Sequence, residues 1–281
     1  MRVKLWGTRG SVANPSATTR RYGGSTPCVE VRGTANELVI LDAGIGLHWL
    51  GQRLLGEGFS REGQAHILLS HLHWDHIQGL PFFTPMLMAG NDIHVYGQTG
   101  NGSGNGRGLR NSLLQQMERA YCPVPNFFEE GIGAQLTIHD LSDGSFEIGG
   151  IRVRYRQIHH GAAVTCLGYR LENDGGSLAY LPDVSYTEPE HFEAALDLAD
   201  GVDLLIHDAH HTASDPQVDG HATDADAVRV GEESDVGRVL LFHHHPDRTD
   251  DEIDAIVAGY NDHRVRVGAA TQGEEIRLSS Q

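Results

Sequence analysis

Apolar and polar residues follow two rhythms along this chain. Runs at residues 3–6, 28–32 and 37–41 read as strands, and glycine-bearing turns at 7–10 and 33–36 separate them. Residues 45–55 change to helical spacing through Leu47, Leu50, Leu54 and Leu55, with Gly56 and Gly58 closing the helix. The apolar run at 65–70 predicts a short buried strand, so the chain opens as an α/β protein. A helix is predicted at 111–120, ended by Pro123 and Pro125, and strands at 135–141, 146–158, 166–172 and 177–181. Helices at 189–198, 224–233 and 250–259 then alternate with strands at 202–206 and 238–242, so the second half repeats the element order of the first. Periodicity alone allows either one doubly wound sheet or two packed sheets.

Two segments depart from these rhythms. Residues 80–86 are apolar but broken by Pro81 and Pro85, which fits core packing or the wall of a pocket. Residues 97–108 alternate glycine with Asn and Ser, cannot bury apolar area, and predict a flexible loop. That loop lacks the strand, helix and Lys-Ser/Thr context of a phosphate-binding loop.

Composition narrows the class. The hydrophobic fraction of 39% suits a soluble globular enzyme, no segment approaches the ~20 apolar residues of a membrane span, and residues 1–10 contain no signal-like apolar stretch. A cytoplasmic protein without a membrane partner is the expectation. Cys28, Cys122 and Cys166 are far apart and odd in number, which indicates neither a disulfide framework nor a thiolate metal site. A formal charge of −17 repels phosphate backbones and disfavours nucleic acid as a partner.

Against that background, His71-Leu72-His73-Trp74-Asp75-His76 places three imidazoles and a carboxylate where a strand runs out. An extended segment sends His71 and His73 to one side, and a following turn brings Asp75 and His76 to a neighbouring point. Two such pairs suit two borderline divalent ions, and neither pair closes a coordination shell alone. The missing donors belong at other strand ends, where sites on α/β scaffolds gather. Asp42, His159 or His160, Asp183, His207 with Asp208, and His243 meet that condition.

The His-x-His-x-Asp-His pattern after a strand resembles the signature of the metallo-β-lactamase superfamily. The loops at 7–11 and 22–28 are similar to those of its phosphodiesterase and ribonuclease Z branch. The likeness runs over nearly the whole chain. It implies a four-layer αββα sandwich in one domain spanning 1–281, and homodimer formation. It also implies two metal ions, one held by His71, His73 and His160 and the other by Asp75, His76 and His243, with Asp183 bridging. His160 rather than His159 matches the family position before the loop into Leu167. Asp42 would support a ligand from behind, with His207 and Asp208 in the same outer network, while His210, His211, His244 and His245 read as surface or hydrogen-bonded residues. Gly220-His221-Ala222-Thr223 resembles the Gly-His-Ser-Thr stretch of ribonuclease Z relatives, whose histidine contacts the scissile phosphate; Thr223 also suits a helix N-cap.

The chemistry so implied is hydrolysis of a small phosphodiester, linear or cyclic, by a hydroxide held between two divalent ions, with Asp75 and His221 as catalytic residues and His221 protonating the leaving group. Zinc is the first expectation for the metal, with manganese or iron as alternatives. Trp74, Phe82, Phe83, Arg107, Arg110 and Arg170 are candidates for the wall or for phosphate contacts. The competing readings are a ribonuclease Z-like tRNA 3′-processing endonuclease and a metal-binding sensor without turnover.

Overall fold

In the computed structural model, residues 1–279 are described apart from 60–61, 99–107, 130–132, 143, 163 and 216–219. The predicted flexible loop at 97–108, with Arg107, falls almost wholly outside the described residues.

The first half forms β1 (Arg2–Gly7), β2 (Cys28–Arg32), β3 (Leu38–Leu41), α1 (Gly46–Gly56), β4 (Gln64–Leu68), α2 (Trp74–Ile77), β5 (Asp92–Gly97), α3 (Leu109–Gln116) and β6 (Gln135–Asp140). The second half forms β7 (Gly144–Ile148), β8 (Ile151–His159), β9 (Thr165–Asn173), β10 (Gly176–Leu181), α4 (Pro189–Ala199), β11 (Leu204–Asp208), α5 (Asp224–Glu233), β12 (Arg238–Phe242), α6 (Asp250–Ala258), β13 (Arg266–Ala269) and β14 (Glu275–Arg277). They build two seven-stranded sheets, ordered β14-β1-β2-β3-β4-β5-β6 and β13-β12-β11-β10-β9-β8-β7. β14, β1, β2 and β3 are antiparallel, and β3 to β6 are parallel. The second sheet repeats this plan, antiparallel from β7 to β10 and parallel from β10 to β13.

Three apolar clusters account for the layering. Val3, Leu5, Val39, Leu41 and Leu68 of the first sheet meet Val153, Tyr169, Tyr180, Ile206 and Phe242 of the second. Alternate residues of the same strands, such as Ile40 and Ile67, pack under Leu47, Leu50 and Leu54 of α1 and Leu109 and Leu113 of α3. On the far side Ala179, Leu181, Leu205 and Val239 pack under α4 and α5 through Leu198, Ala227 and Val230. Central strands buried on both faces read as unbroken apolar runs, as β3 does in Leu38-Val39-Ile40-Leu41. The result is a four-layer αββα sandwich, and the single doubly wound sheet is excluded.

Several expectations about the elements change. The predicted strand 146–158 is a hairpin, β7 and β8, turning at Gly149 in the left-handed region (φ 54°) and Gly150. β11 extends through His207 and Asp208, so these two end the strand instead of following it. β5, β13 and β14 are additional strands. Phe83 belongs to the core beneath α1 and is not a pocket wall.

Candidate metal centre

The centre lies where the parallel strands of both sheets end. After β4, Ser70 donates its N–H to Asp42 Oδ1 at 2.7 Å, tying the segment to the end of β3. His73 is still extended (φ −61°, ψ 151°), and α2 begins at the next residue. That single turn folds Asp75 and His76 back toward the strand ends, and the Ala43 N–H donating to the His76 carbonyl (2.8 Å) holds it there. Asp42 and His243 directly follow β3 and β12 and both have left-handed backbones, φ 59° and 56°.

Three donor groups result among the described residues. Ligand atoms of His71, His73, His160 and Asp183 lie within 4.8 Å of one another, and so do those of Asp75, His76 and His243 and those of His210, His221 and His243. The Asp183 carboxylate spans the first two. Its Oδ2 is 3.7 Å from His71 Nε2 and 3.5 Å from His160 Nε2, and its Oδ1 is 3.2 Å from His76 Nε2 and 3.3 Å from His243 Nε2. His159 takes no part: its ring stacks on His191 of α4 with centroids 3.9 Å apart.

Ring tautomers are set from behind. His76 Nδ1 donates to Asp42 Oδ2 at 2.7 Å, and His160 Nδ1 donates to the Gly220 carbonyl. Ser70 Oγ gives its proton to Asp42 Oδ2 (2.8 Å) and so accepts from His71 Nδ1 (3.0 Å). In each ring the Nε2 lone pair is left for the centre. His71 Nε2 and Asp183 Oδ1 are buried without a hydrogen-bond partner. His76 Nε2 and His243 Nε2 face each other at 3.3 Å, a repulsive arrangement of acceptors unless a proton or cation lies between them. These orphaned, convergent donors fit two divalent cations.

The electrostatics agree. Burial disfavours charge on His76, but Asp183, Asp75 and Asp42 outweigh it and hold the imidazole well above its ordinary value. Burial also opposes the charge on Asp183, yet His243, His76 and His71 keep the carboxyl well below the usual range. Burial and the neighbouring His76 push His71 down. Three carboxylates therefore call for positive charge at one point.

A second network lies beside the first. Buried Asp208 accepts from Val184 N (3.1 Å), Ala222 N (3.2 Å) and His221 Nδ1 (3.0 Å) through Oδ2, and from His210 N (2.9 Å) through Oδ1. Burial opposes charge on His221, but Asp208 overrides it and raises the imidazole to about 9. Thr223 caps α5 through Asp226 N. His207 stands further back, its Nδ1 donating to the Asp208 carbonyl (2.7 Å) and its Nε2 accepting from Tyr186 (2.6 Å).

Other residues were not singled out by the sequence. Ser11 N–H donates to Asp75 Oδ2 at 2.7 Å. Gly10 packs so closely that a Cβ there would lie 2.4 Å from His243 Nδ1, so glycine's close approach, rather than its turn, is what this loop uses. Tyr180 donates to Asp42 Oδ2 at 2.8 Å. Of the alternatives surface or hydrogen-bonded, His210 and His244 take the second, as buried rings bonded to the His243 and Ala270 carbonyls, and His211 is buried as well. The density of histidine after the β11 run, similar to that at 71–76, was the available signal for His210. Among the proposed wall residues, Trp74 and Phe82 are exposed, whereas Arg110 bonds to the Phe128 carbonyl and Arg170 to Glu172 and the Leu198 and Asp200 carbonyls.

Comparisons with known proteins point the same way. A β-lactamase superfamily domain matches residues 38–244. A ribonuclease Z of Mycobacterium marinum is 24% identical over 99% of this chain and 95% of its own length. The metallo-β-lactamase fold protein YhfI of Bacillus subtilis superposes with a TM-score of 0.71 at 18% identity, covering 98% of this chain and 99% of that one. A diphosphatase of the PhnP family gives 0.68 at 20% identity, covering 100% and 99%. With that domain matched over residues 38–244, most of the chain, the protein belongs to the metallo-β-lactamase superfamily, and among its members it is similar to ribonuclease Z.

Proposed function

We propose that this hydrolase is a phosphodiesterase working with two divalent metal ions on small phosphodiesters, cyclic ones included. The observation that carries the reading is Asp183, whose two carboxylate oxygens face two separate donor groups while His221 lies 4.0 Å from one of them. His71, His73 and His160 would hold one ion, Asp75, His76 and His243 the other, and Asp183 both. When bound, such a pair supplies an acidified water and positive charge beside the phosphate oxygens.

The remaining work falls to the chain. Asp42 fixes His76, and the Ser11 N–H fixes Asp75. Asp208 holds His221 through Nδ1, so the proton on Nε2 is the one available to the substrate. As the P–O bond breaks, that proton passes to the leaving oxygen.

A second reading, a ribonuclease Z-like nuclease, is favoured by a cleft of about 360 Å³ lined by Arg152, Arg154 and Arg156 on the outer face of β8, the strand that leads into His160. Asp197 engages two of these guanidinium groups, at 3.0 and 2.9 Å. A polyanion is the partner such a stripe would suit.

The test is turnover by metal-reconstituted protein of bis(p-nitrophenyl) phosphate, 2′,3′-cyclic nucleotides and a tRNA precursor. Chelator-sensitive hydrolysis of the small diesters is expected. Cleavage of the tRNA precursor alone would move the assignment to the nuclease, and hydrolysis of a lactone or β-lactam with no phosphodiesterase activity would refute both. Metal binding with no turnover of any of them would leave the sensor.

A further inference from the structure

His210 is a buried imidazole that the reaction as described leaves unused. Its backbone N–H donates to Asp208 Oδ1 at 2.9 Å, so it hangs from the same carboxylate that holds His221. Its Nδ1 donates to the His243 carbonyl at 3.1 Å. That bond fixes both the tautomer and the plane of the ring. The ring then lies nearly parallel to that of His221, with centroids 4.4 Å apart and an interplanar angle of 23°. His243 lies 5.0 Å from His221 and 5.3 Å from His210, so three imidazoles form one packed group. Asp208 restrains His221 at one atom, Nδ1, and rotation about that hydrogen bond is limited by the rings around it, those of His210, His243, His160 and His211; His210 is the nearest of the four and lies flat against the ring face.

We propose that His210 is a positioning residue for His221: it aims the Nε2 proton at the leaving oxygen and does not itself touch substrate or give up a proton. This rests on the reading of His221 as the proton donor. The three rings do offer ligand atoms within 4.8 Å of one another, but Nδ1 of His221 is engaged by Asp208 and Nδ1 of His210 by the His243 carbonyl, and His243 belongs to the second donor group, so the arrangement serves positioning better than it would hold a third cation.

The role is separable from packing because only a poor leaving group needs the proton. Thymidine 5′-phosphate esterified with p-nitrophenol releases a stable anion, whereas the methyl ester must release an alkoxide. General-acid assistance contributes roughly 10²–10⁴-fold where it is required. In H221A the ratio of methyl-ester to p-nitrophenyl-ester kcat should fall about 100-fold or more. In H210A it should fall about tenfold, with metal content and KM held. The phenylalanine variant H210F, which keeps a ring face, should recover most of the ratio. The double variant H210A/H221A should be no slower on the methyl ester than H221A.

Independently of turnover, ¹⁵N-imidazole spectra of the metal-free protein should show the His221 Nδ1 proton bonded to Asp208 sharply in wild type and broadened in H210A. An unchanged H221A ratio, or no turnover of either ester by wild type, would remove the donor reading itself. A lowered H221A ratio with an unchanged H210A ratio, an unaltered Nδ1 proton in H210A, or independent losses in the double variant would overturn the positioning role alone.

Discussion

Replacing Asp42 by asparagine changes one atom and should empty half of the proposed centre. The carboxylate is fully buried and accepts four hydrogen bonds: Ser70 N on Oδ1, and Ser70 Oγ, His76 Nδ1 and Tyr180 OH on Oδ2. An amide with its oxygen toward Ser70 N turns an NH2 group on the other three. The two hydroxyls can rotate to accept. The imidazole can accept only by moving its proton to Nε2, which removes the lone pair a cation needs. Flipping the amide merely transfers the clash to the Ser70 N–H. Loss of such a support weakens metal affinity by about 10- to 100-fold, or roughly 1.4–2.8 kcal/mol. The weakened charge-assisted bonds should also lower stability by about 2–3 kcal/mol, a fall of roughly 5–10 °C in Tm. Competition with a graded chelator, followed by elemental analysis, should show D42N retaining one tight ion where wild type holds two. Two ions of unchanged affinity in a folded D42N would refute the argument that Asp42 sets the His76 tautomer.

Two shorter predictions follow from other contacts. G10A places a methyl group 2.4 Å from His243 Nδ1 and 3.0 Å from His210 Nδ1, so it should lower second-ion affinity and activity by at least tenfold, checked by metal stoichiometry against the Tm. His66, on β4, is lowered to about 4 by burial and then by His94, so its neutral form is the one that stabilises the fold. That contribution is present above pH 6.5 and lost as pH falls toward 4, because the unfolded chain binds the proton first; H66L should flatten the fall of stability across that window by on the order of 1–2 kcal/mol, read from urea unfolding at each pH.

The parts of the chain that were readable in advance are those where burial is one-sided or complete. α1 announced itself through Leu47, Leu50 and Leu54, and β3 through four consecutive apolar residues buried on both faces. β5 escaped because its inner face carries His94 and Tyr96, which stack with His66, His139 and Phe146 where aliphatic residues would have marked a strand. The β7–β8 hairpin was hidden because Ile148 and Ile151 pair across Gly149 and Gly150, so the apolar rhythm continues on both sides of the turn. At the centre, residues held by side chains were visible as histidine and aspartate at strand ends. The contributions of Ser11 and Gly10 were not, since one acts through its backbone N–H and the other through the absence of a Cβ.

The backbone at His243 allows strain and function to be separated. The residue follows β12 with φ 56°, where a Cβ meets the following carbonyl and costs roughly 1–2 kcal/mol relative to glycine. His243→Ala and His243→Gly both delete the imidazole, leave nearly the same space beside His76 and Asp183, and remove the same proposed ligand. They differ in whether a Cβ occupies a left-handed residue. In metal-free protein H243G should therefore be more stable than H243A by about 1 kcal/mol or more, while both lose the second ion to the same extent. Urea unfolding of the two variants gives the difference directly, since it cancels the lost packing and charge. Equal midpoints would mean that this conformation carries no strain, and that His243 stands where it does at no expense to the fold.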